Sequence, residues 1–435
     1  MATALVSHTS RNWYPKTVLP NQLRILSAPM PHMQSVALGV WMAAGGRYES
    51  ARLCGISHFL EHLIFKGTAQ RSAQQIKEAI EGLGGSVNAF TDTEFTCVYA
   101  RVPVRHAASA LDVLMDMTLH PRLSAGDIER ERQVILEEIK MYLDMPMQHV
   151  QDLLGTLLWP HQPLGMFLAG TAASVGRIRR ADLAAYRQRF YTPANMIVAA
   201  AGPVSHRMLV EQVRAAFARV PAGRAQRFRR ATQRQQAPRL QCLVKETEQT
   251  HLSLGFHAFP RNHPRVHGLN LLHVILGGNM SSRLFHQVRE VRGLAYEIGT
   301  QVKRYRDTGA FTVLAGVEHR KFVQALRVIV QELARMRRHP VPRDEFERAR
   351  EFYRSQLLLT LEDTVDHMLW IGESEMMLSR VDPLEAILED IRRATPADVT
   401  RAAREVLQLR RVNLAAIGPL KPREQERARA LLEEA

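Results

Sequence analysis

The chain contains few cysteines: Cys54, Cys97 and Cys242 are the only three in 435 residues. Small secreted domains that depend on disulfides carry an even number of cysteines at short, regular spacings. Three scattered cysteines exclude such a framework. We expect them to be buried thiols in a reducing compartment.

Long apolar segments are also missing. The sequence has no run of about 18 apolar residues, the length that a membrane-spanning helix needs. Its first 25 residues lack the apolar stretch of a secretory signal. An organellar transit peptide is the alternative, which is disfavoured because only Arg11 and Lys16 are basic before the first predicted strand. These absences predict no membrane partner and favour the bacterial cytoplasm.

Acidic residues are fewer than basic ones. The 43 Asp and Glu against 58 Lys and Arg give a formal net charge of +15, which raises the alternative of a nucleic-acid-binding protein. The arginines are dispersed, however, and cluster only at 224–239, and no nucleic-acid-binding module is recognisable. We therefore expect no nucleic-acid partner. An arginine-rich background composition and a basic surface that attracts acidic peptides or partners both explain the charge.

One short segment carries the clearest chemical signal, His58-Phe59-Leu60-Glu61-His62. In a helix, His58 and His62 lie one turn apart on one face with Glu61 beside them. Two imidazoles and an adjacent carboxylate suit a catalytic zinc site, and H-x-x-E-H is the inverted zincin signature. The alternative is an amphipathic helix with two incidental histidines, but its apolar neighbours predict burial, where unpartnered polar groups are costly.

A third ligand is predicted on a long helix from Asp127 to Asp144, with Asp127 capping its start. Glu131 and Glu138 lie about two turns apart on one face of this helix, so both could reach one site. Glu137 points about 100° away. Spacing alone leaves Glu137 and Glu138 open as the ligand, and a solvated face with ordinary ion pairs explains the same charges.

Four segments in order resemble the pitrilysin-type zinc metallopeptidases (inverted zincins), in particular the branch of mitochondrial processing peptidase and its bacterial relatives. They lie at 55–68, 84–91, 131–139 and 289–296. The resemblance implies one zinc ion per chain, held by His58, His62 and Glu138, with Glu61 as the base that activates water. It also implies that Glu131 supports the catalytic site without binding the metal.

A predicted strand is implied to bind substrate. Asn88, Ala89 and Phe90 lie on a segment that resembles the family's edge strand, on which an extended peptide is held partly by main-chain hydrogen bonds. The alternative is a purely structural hairpin.

A second implied substrate contact lies far along the chain. Arg289 and Tyr296 match a family pair, seven residues apart, that contacts the peptide near the scissile bond. Arg292 is a competing choice, and a solvated helix face explains the same arginines.

The predicted fold class is α+β, with two homologous domains from an internal duplication, each a mainly antiparallel sheet packed with helices. The length and 46 % hydrophobic content allow two cores. We assign a zinc-binding peptidase domain to 1–225, an exposed arginine-rich linker to 226–238, and an inactive homologous domain with substrate contacts to 239–435.

The duplication is predicted from repeated patterns. Alternating strands at 34–41 and 250–257 begin the two halves, and similar segments at 195–203 and 413–419 lie near their ends. The second half lacks the H-x-x-E-H segment. Its lone His273 is expected to be a core or interface histidine, because no carboxylate or second histidine stands within one turn.

The expected activity is a zinc-dependent endopeptidase acting on oligopeptides or on unfolded or processing peptides. Larger family members enclose the peptide in a chamber of four such domains, so this chain implies a homodimer, or a heterodimer with a homologous subunit. A catalytically silent scaffold or partner subunit is the alternative, which the complete set of site residues disfavours.

Overall fold

The structure, a computed structural model, describes residues 14–434. Its first sheet contains six strands: β1 (Lys16–Val18), β2 (Arg24–Pro29), β3 (Ser35–Met42), β4 (Ser86–Thr91), β5 (Thr96–Pro103) and β6 (Met196–Gly202). Their order across the sheet is β1-β2-β6-β3-β5-β4. Only β2 and β6 run parallel, and β4 lies at an edge.

The second sheet repeats this arrangement with five strands: β7 (Arg239–Val244), β8 (Thr250–Ala258), β9 (Ala295–Arg304), β10 (Gly309–Val317) and β11 (Asn413–Gly418). The order β7-β11-β8-β10-β9 matches β2-β6-β3-β5-β4, and again the first pair is parallel. The predicted α+β fold of two duplicated, mainly antiparallel domains is therefore confirmed.

The helices follow the same repeat. Those of the first half are α1 (Ile56–Ile64), α2 (Ala73–Glu81), α3 (Ala107–Leu119), α4 (Ala125–Asp144), α5 (Pro146–Leu158), α6 (Ala172–Arg177), α7 (Arg180–Phe190) and α8 (His206–Ala216). Those of the second half are α9 (Val266–Gly277), α10 (Phe322–Arg338), α11 (Arg343–Thr360), α12 (Thr364–Leu378), α13 (Leu384–Arg393), α14 (Pro396–Val406) and α15 (Pro422–Glu433). A short π-helix, Phe285–Glu290, stands where the first half has α2.

Local sequence explains how helices α2 and α4 begin. Ser72 and Gln75 form a capping box at α2, as their spacing predicts. The expected cap of α4 is wrong by one turn. Ser124 is the cap residue, and its Oγ accepts the N–H of Asp127 at 3.2 Å, because Asp127 already lies inside the helix.

Two helices are exchanged between the halves. Helix α12 packs on β2, β3 and β6 of the first sheet, whereas α5 packs on β8 and β11 of the second. The fit of α12 is tight: a Cβ atom on Gly372 would lie 2.3 Å from Nε1 of Trp41. Each sheet is thus covered on one face by a helix from the opposite half, and the domain boundaries along the chain remain a prediction.

A buried ion network also joins the halves. The Arg47 guanidinium, with 0 % of its side chain exposed, binds Glu94 and reaches Asp307 of the second half. Glu94 in turn accepts the backbone N–H of Arg306 at 3.1 Å. Because both carboxylates neutralise a buried cation, this network fixes the two halves against each other.

The segment predicted to be an exposed linker runs along this junction. Residues 226–238 contain no helix or strand, and their arginines are exposed. Phe228, however, packs with its ring centroid 3.9 Å from the Arg47 guanidinium, and Gln235 is buried and accepts a hydrogen bond from Asn413. Part of the segment therefore belongs to the interface.

Within residues 14–434, no helix is both long and apolar enough to cross a bilayer.

Candidate metal centre

Helix α1 carries the polar residues of the H-x-x-E-H segment on an otherwise buried helix. Five of its apolar side chains are 1 % exposed or less: Ile56, Phe59, Leu60, Leu63 and Ile64. Because these side chains occupy the core, His58 and His62 share the remaining face, with ring centroids 4.7 Å apart. Glu61 faces β4, where Thr91 donates hydrogen bonds to its carboxylate.

Helix α4 brings one glutamate to the two histidines. Oε2 of Glu138 lies 3.6 Å from Nε2 of His58 and 3.4 Å from Nε2 of His62. One ligand atom from each of these three residues lies within 4.8 Å of the others. Glu137 points to solvent, where Lys140 binds it at 2.7 Å. Helix geometry therefore directs Glu138, and not Glu137, towards the histidines.

Glu131 lies behind His62, one step removed from the cluster. Its Oε2 is 3.2 Å from Nδ1 of His62, and its Oε1 is 2.7 Å from Nζ of Lys66. A carboxylate accepts hydrogen bonds, so Nδ1 of His62 carries a proton whose hydrogen bond Glu131 accepts, and Nε2 is the nitrogen that faces Glu138. This is the way in which partners of metal-binding histidines fix the tautomer.

The charges of the cluster follow from burial and contact. Burial, together with the neighbouring His62, lowers the pKa of His58 to about 4, although Glu138 opposes the shift. The hydrogen bond from His62 holds the pKa of Glu138 below its usual value. Burial raises the pKa of Glu61, although the bonds from Thr91 oppose this shift. Near neutral pH, His58 is therefore neutral and Glu138 is ionised.

These donors fit a zinc ion. Two imidazoles and one carboxylate form a three-residue set of the kind found in catalytic zinc sites, in which the fourth position is open to water. The neutral ring of His58 and the ionised Glu138 are the protonation states that metal binding requires. Burial lowers the pKa of His62, but its hydrogen bonds to Glu138 and Glu131 outweigh burial and raise it, so a bound metal would replace the proton between Nε2 of His62 and Glu138.

The cluster lies in the wall of a cleft of about 650 Å³. Ala89, Phe90 and Thr91 of the edge strand β4 form one side of it. The remaining lining comes from the ends of α4 and α5, the loop at 167–172, and Lys303 of the second half. A cleft of this size can hold several residues of an extended peptide.

The structure brings together some of the predicted substrate-binding residues but not all. Ala89 and Phe90 line the cleft, whereas the exposed Asn88 is not among its lining residues. Arg289 and Tyr296 also lie outside the cleft of their own chain. They contact each other, with the Arg289 guanidinium 5.2 Å from the tyrosine ring centroid, and Tyr296 is 74 % exposed.

The competing Arg292 is turned elsewhere, since it donates hydrogen bonds to Gln287 at 2.8 and 2.6 Å.

Two charged residues of the cleft were missed by sequence reasoning, Lys303 and Asp152. Desolvation raises the pKa of Asp152 to about 6, and Lys303 opposes the shift. No local pattern marks Lys303, because only the packing of the two halves brings β9 to the cleft.

Two family descriptions match this chain. The one described as insulinase (peptidase family M16) matches residues 24–172, and the one described as the peptidase M16 inactive domain matches residues 177–353. The chain belongs to peptidase family M16. The pitrilysin-type family predicted from the four segments is confirmed, and the match of an inactive domain to the second half agrees with the absence of H-x-x-E-H there.

Curated M16 relatives are similar over nearly the whole chain. A protein of Mycobacterium tuberculosis named an uncharacterized zinc protease is 39 % identical over 407 residues, which cover 93 % of each chain. One of Bacillus subtilis with the same description is 36 % identical over 387 residues, covering 89 % of this chain and 94 % of the relative. The names of these M16 relatives therefore describe them as zinc proteases.

Solved structures share the fold. A protease from Helicobacter pylori has a TM-score of 0.88 at 20 % identity and covers 93 % of this chain and 99 % of its own. A peptidase M16 inactive domain from Pseudomonas fluorescens has a TM-score of 0.87 at 19 % identity, with coverage of 94 % and 98 %. The arrangement of two sheets is therefore that of known M16 proteins.

Proposed function

We propose that this M16 protein is a zinc-dependent endopeptidase that hydrolyses oligopeptides or unfolded or processing peptides. The strongest support is the convergence of His58, His62 and Glu138 on one wall of a peptide-sized cleft, with Glu61 beside them. The M16 relatives named zinc proteases support the same activity.

His58, His62 and Glu138 would hold the zinc ion, which would supply a Lewis acid for the scissile carbonyl and lower the pKa of a water molecule to about 7. Glu61 lies beside them as the general base that would accept a proton from the attacking water and pass it to the leaving amine. Thr91 holds its carboxylate in place. Glu131 accepts the hydrogen bond from Nδ1 of His62, so that Nε2 is the nitrogen directed to the metal position.

The edge strand β4 offers a surface for the peptide backbone. One side of β4 pairs with β5, and no other strand within residues 14–434 pairs with its other side. An extended peptide can add to such an edge through main-chain hydrogen bonds, which are tolerant of sequence. Ala89 and Phe90 would then contact peptide side chains from the cleft wall.

We also propose that the working unit is a dimer, either of two copies or with a homologous subunit. Arg289 and Tyr296 lie outside the cleft of their own chain, and Tyr296 is 74 % exposed. This exposure leaves the pair available to the cleft of a second chain, where a closed chamber would form.

The activity is tested with a quenched peptide, with and without chelator and added zinc. Glu61→Gln is expected to lower kcat by about 10²- to 10⁴-fold, the share of a general base, while zinc content stays at one per chain. Glu137→Gln, on the exposed face of α4, is the matched control and should leave both unchanged. Zinc binding without cleavage by the wild-type protein would instead support a silent subunit.

The dimer is tested by complementation between two inactive variants, Glu61→Gln and Arg289→Ala. If Arg289 serves the cleft of its partner, a mixed dimer contains one intact site and regains activity. If mixing restores nothing, or if the active protein runs as a single chain in sizing, the shared site is wrong.

A further inference from the structure

The start of the metal-binding helix is held by a carboxylate that lies outside the cleft. Helix α1 begins after Gly55, which has φ +91° and no side chain to cap the helix. Glu49 supplies the acceptor instead: Oε2 accepts the N–H of Gly55 at 2.7 Å, and Oε1 accepts the N–H of Ser57 at 2.9 Å. N–H groups of a first helical turn lack intrahelical partners, and the helix dipole favours a negative charge there.

This cap is unusual because it is buried. Glu49 is 5 % exposed and lies between two short 3₁₀ turns, Gly46–Tyr48 and Ala51–Leu53. Helix caps are ordinarily Ser, Thr, Asp or Asn directly before the helix, whereas burying a carboxylate is costly unless hydrogen bonds compensate it. Both oxygens of Glu49 accept hydrogen bonds from the backbone at the start of α1. Two hydrogen bonds, from Gly55 and from Ser57, therefore fix the geometry of this helix start.

The hydrogen bond between Ser57 and Glu49 adjoins the predicted metal site. Ser57 directly precedes His58, and its Oγ forms a hydrogen bond of 2.9 Å with the hydroxyl of Tyr186 on α7. A movement of the Ser57 backbone therefore moves His58 relative to α4, which carries Glu138.

The residue that donates the other hydrogen bond to Glu49, Gly55, contacts the wall of the cleft. A Cβ atom on Gly55 would lie 2.7 Å from the carbonyl oxygen of Ala169, so the two backbones are in direct contact. Next to it, Sγ of Cys54 donates to the carbonyl of Phe167 at 3.2 Å. Phe167 and Ala169 both line the cleft. The start of α1 therefore positions a cleft wall as well as a histidine.

The two histidines differ in what orients them. His62 is oriented by a side chain, because its Nδ1 donates to Glu131. Nδ1 of His58 is buried and has no hydrogen-bond partner among the described residues. The place of His58 must therefore come from the backbone of α1, and Glu49 is the group that fixes this backbone at its start.

We propose that Glu49 is a positioning residue of the metal centre, which sets His58 against Glu138 through the N–H groups of Gly55 and Ser57. It acts without touching metal or substrate, in the way that Glu131 acts on His62. The role assigned to Glu49 rests on the proposed function, because it concerns the same site.

The test compares zinc affinity and kinetics in Glu49→Ala, Glu49→Gln and Glu49→Asp. Zinc Kd is measured by competition with a chromophoric chelator, well below the melting temperature of each variant. We expect Glu49→Ala to raise Kd and lower kcat roughly 10- to 100-fold, the range for groups that orient metal ligands, with KM unchanged. Glu49→Gln keeps one acceptor oxygen and should show a smaller effect. Glu49→Asp keeps the charge but is too short for both bonds.

The matched control is Glu375→Gln on α12. Glu375 is also a buried carboxylate, 0 % exposed and 2.7 Å from Lys16, but it lies on the opposite sheet face from the cluster. Its variant should lower the melting temperature and leave zinc Kd unchanged. A Glu49 variant that behaves like this control overturns the positioning role, as does failure of all three Glu49 variants to fold. If the wild-type protein itself binds no zinc, the proposed function fails first.

Discussion

The two halves of this protein share one fold but differ in chemistry. Five strands of the first sheet have the same order as the five of the second, and helices α1 and α9 follow the equivalent strands β3 and β8. In the first half, α1 offers two histidines to Glu138 of α4. Among the described residues of the second half, no such group of metal donors is present. Function therefore depends on a few side chains placed on a repeated scaffold.

The second half fills the same region with a closed polar network. On α9, Asn270 donates to the hydroxyl of Tyr353 on α11 at 2.5 Å and accepts from Arg304 at 3.2 Å. Nδ1 of His273 lies 2.7 Å from Oγ1 of Thr300. These groups satisfy one another, whereas the donor atoms of the first half face an open cleft. Hydrogen bonds satisfy these buried polar groups, and the described residues of the second half hold no group of three metal donors.

The largest expected effect separates Glu138 from its neighbour on α4. Glu138→Gln removes one of three ligand residues, so zinc affinity and activity should fall by more than the roughly 10- to 100-fold caused by loss of an orienting partner. Glu137→Gln should change neither, because Glu137 is exposed and paired with Lys140. Zinc content and kcat of both variants check this. Equal losses in the two variants would contradict the assignment of Glu138.

The next effect concerns Glu131. Glu131→Gln weakens the hold on Nδ1 of His62, so we expect a roughly 10- to 100-fold rise in zinc Kd. Chelator competition measures this change, and KM for the peptide should be unaffected. A variant with wild-type Kd would show that Glu131 acts only through Lys66.

The exchanged helices allow a matched test of packing. Gly372→Ala on α12 places a methyl group 2.3 Å from Trp41 Nε1 and should lower the free energy of unfolding by about 1–3 kcal/mol, the range for overpacking. Gly155→Ala on α5 meets nothing within 4 Å. It should stabilise the protein by up to about 1 kcal/mol, because alanine favours helix. Denaturant unfolding of both variants checks the contrast, and equal shifts would contradict it.

The smallest expected effect lies in the second half. His273→Ala removes the hydrogen bond to Thr300 and should cost about 1 kcal/mol in the free energy of unfolding. Zinc content should remain one per chain, since His273 belongs to no group of metal donors. Loss of zinc in this variant would show that the second half carries metal.

Local sequence was sufficient for the elements that repeat a simple pattern. The four segments at 34–41, 195–203, 250–257 and 413–419 coincide with strands, and the spacing of apolar residues predicted the helix that carries Glu138. The choice between Glu137 and Glu138 needed the structure, because rotation about a helix axis is fixed only by what the helix packs against.

The features that sequence reasoning missed all depend on distant contacts. No sequence pattern on α5 or α12 indicates that these helices are exchanged between the halves. Gly372 of α12 allows the close approach to Trp41, but this contact is visible only in the packing. Lys303 reaches the cleft because the halves dock, and Glu49 caps a helix from six residues upstream. None of these relations has a fixed spacing that a sequence pattern could reveal.

X-ray absorption spectroscopy of the zinc-loaded protein tests the central claim most directly. We predict one zinc per chain with only nitrogen and oxygen neighbours, at about 2.0–2.2 Å, and two of them showing the multiple scattering of imidazole. The second imidazole signal should disappear in His58→Ala. Sulfur neighbours at about 2.3 Å, or a spectrum unchanged by that substitution, would contradict the metal centre described for the first half.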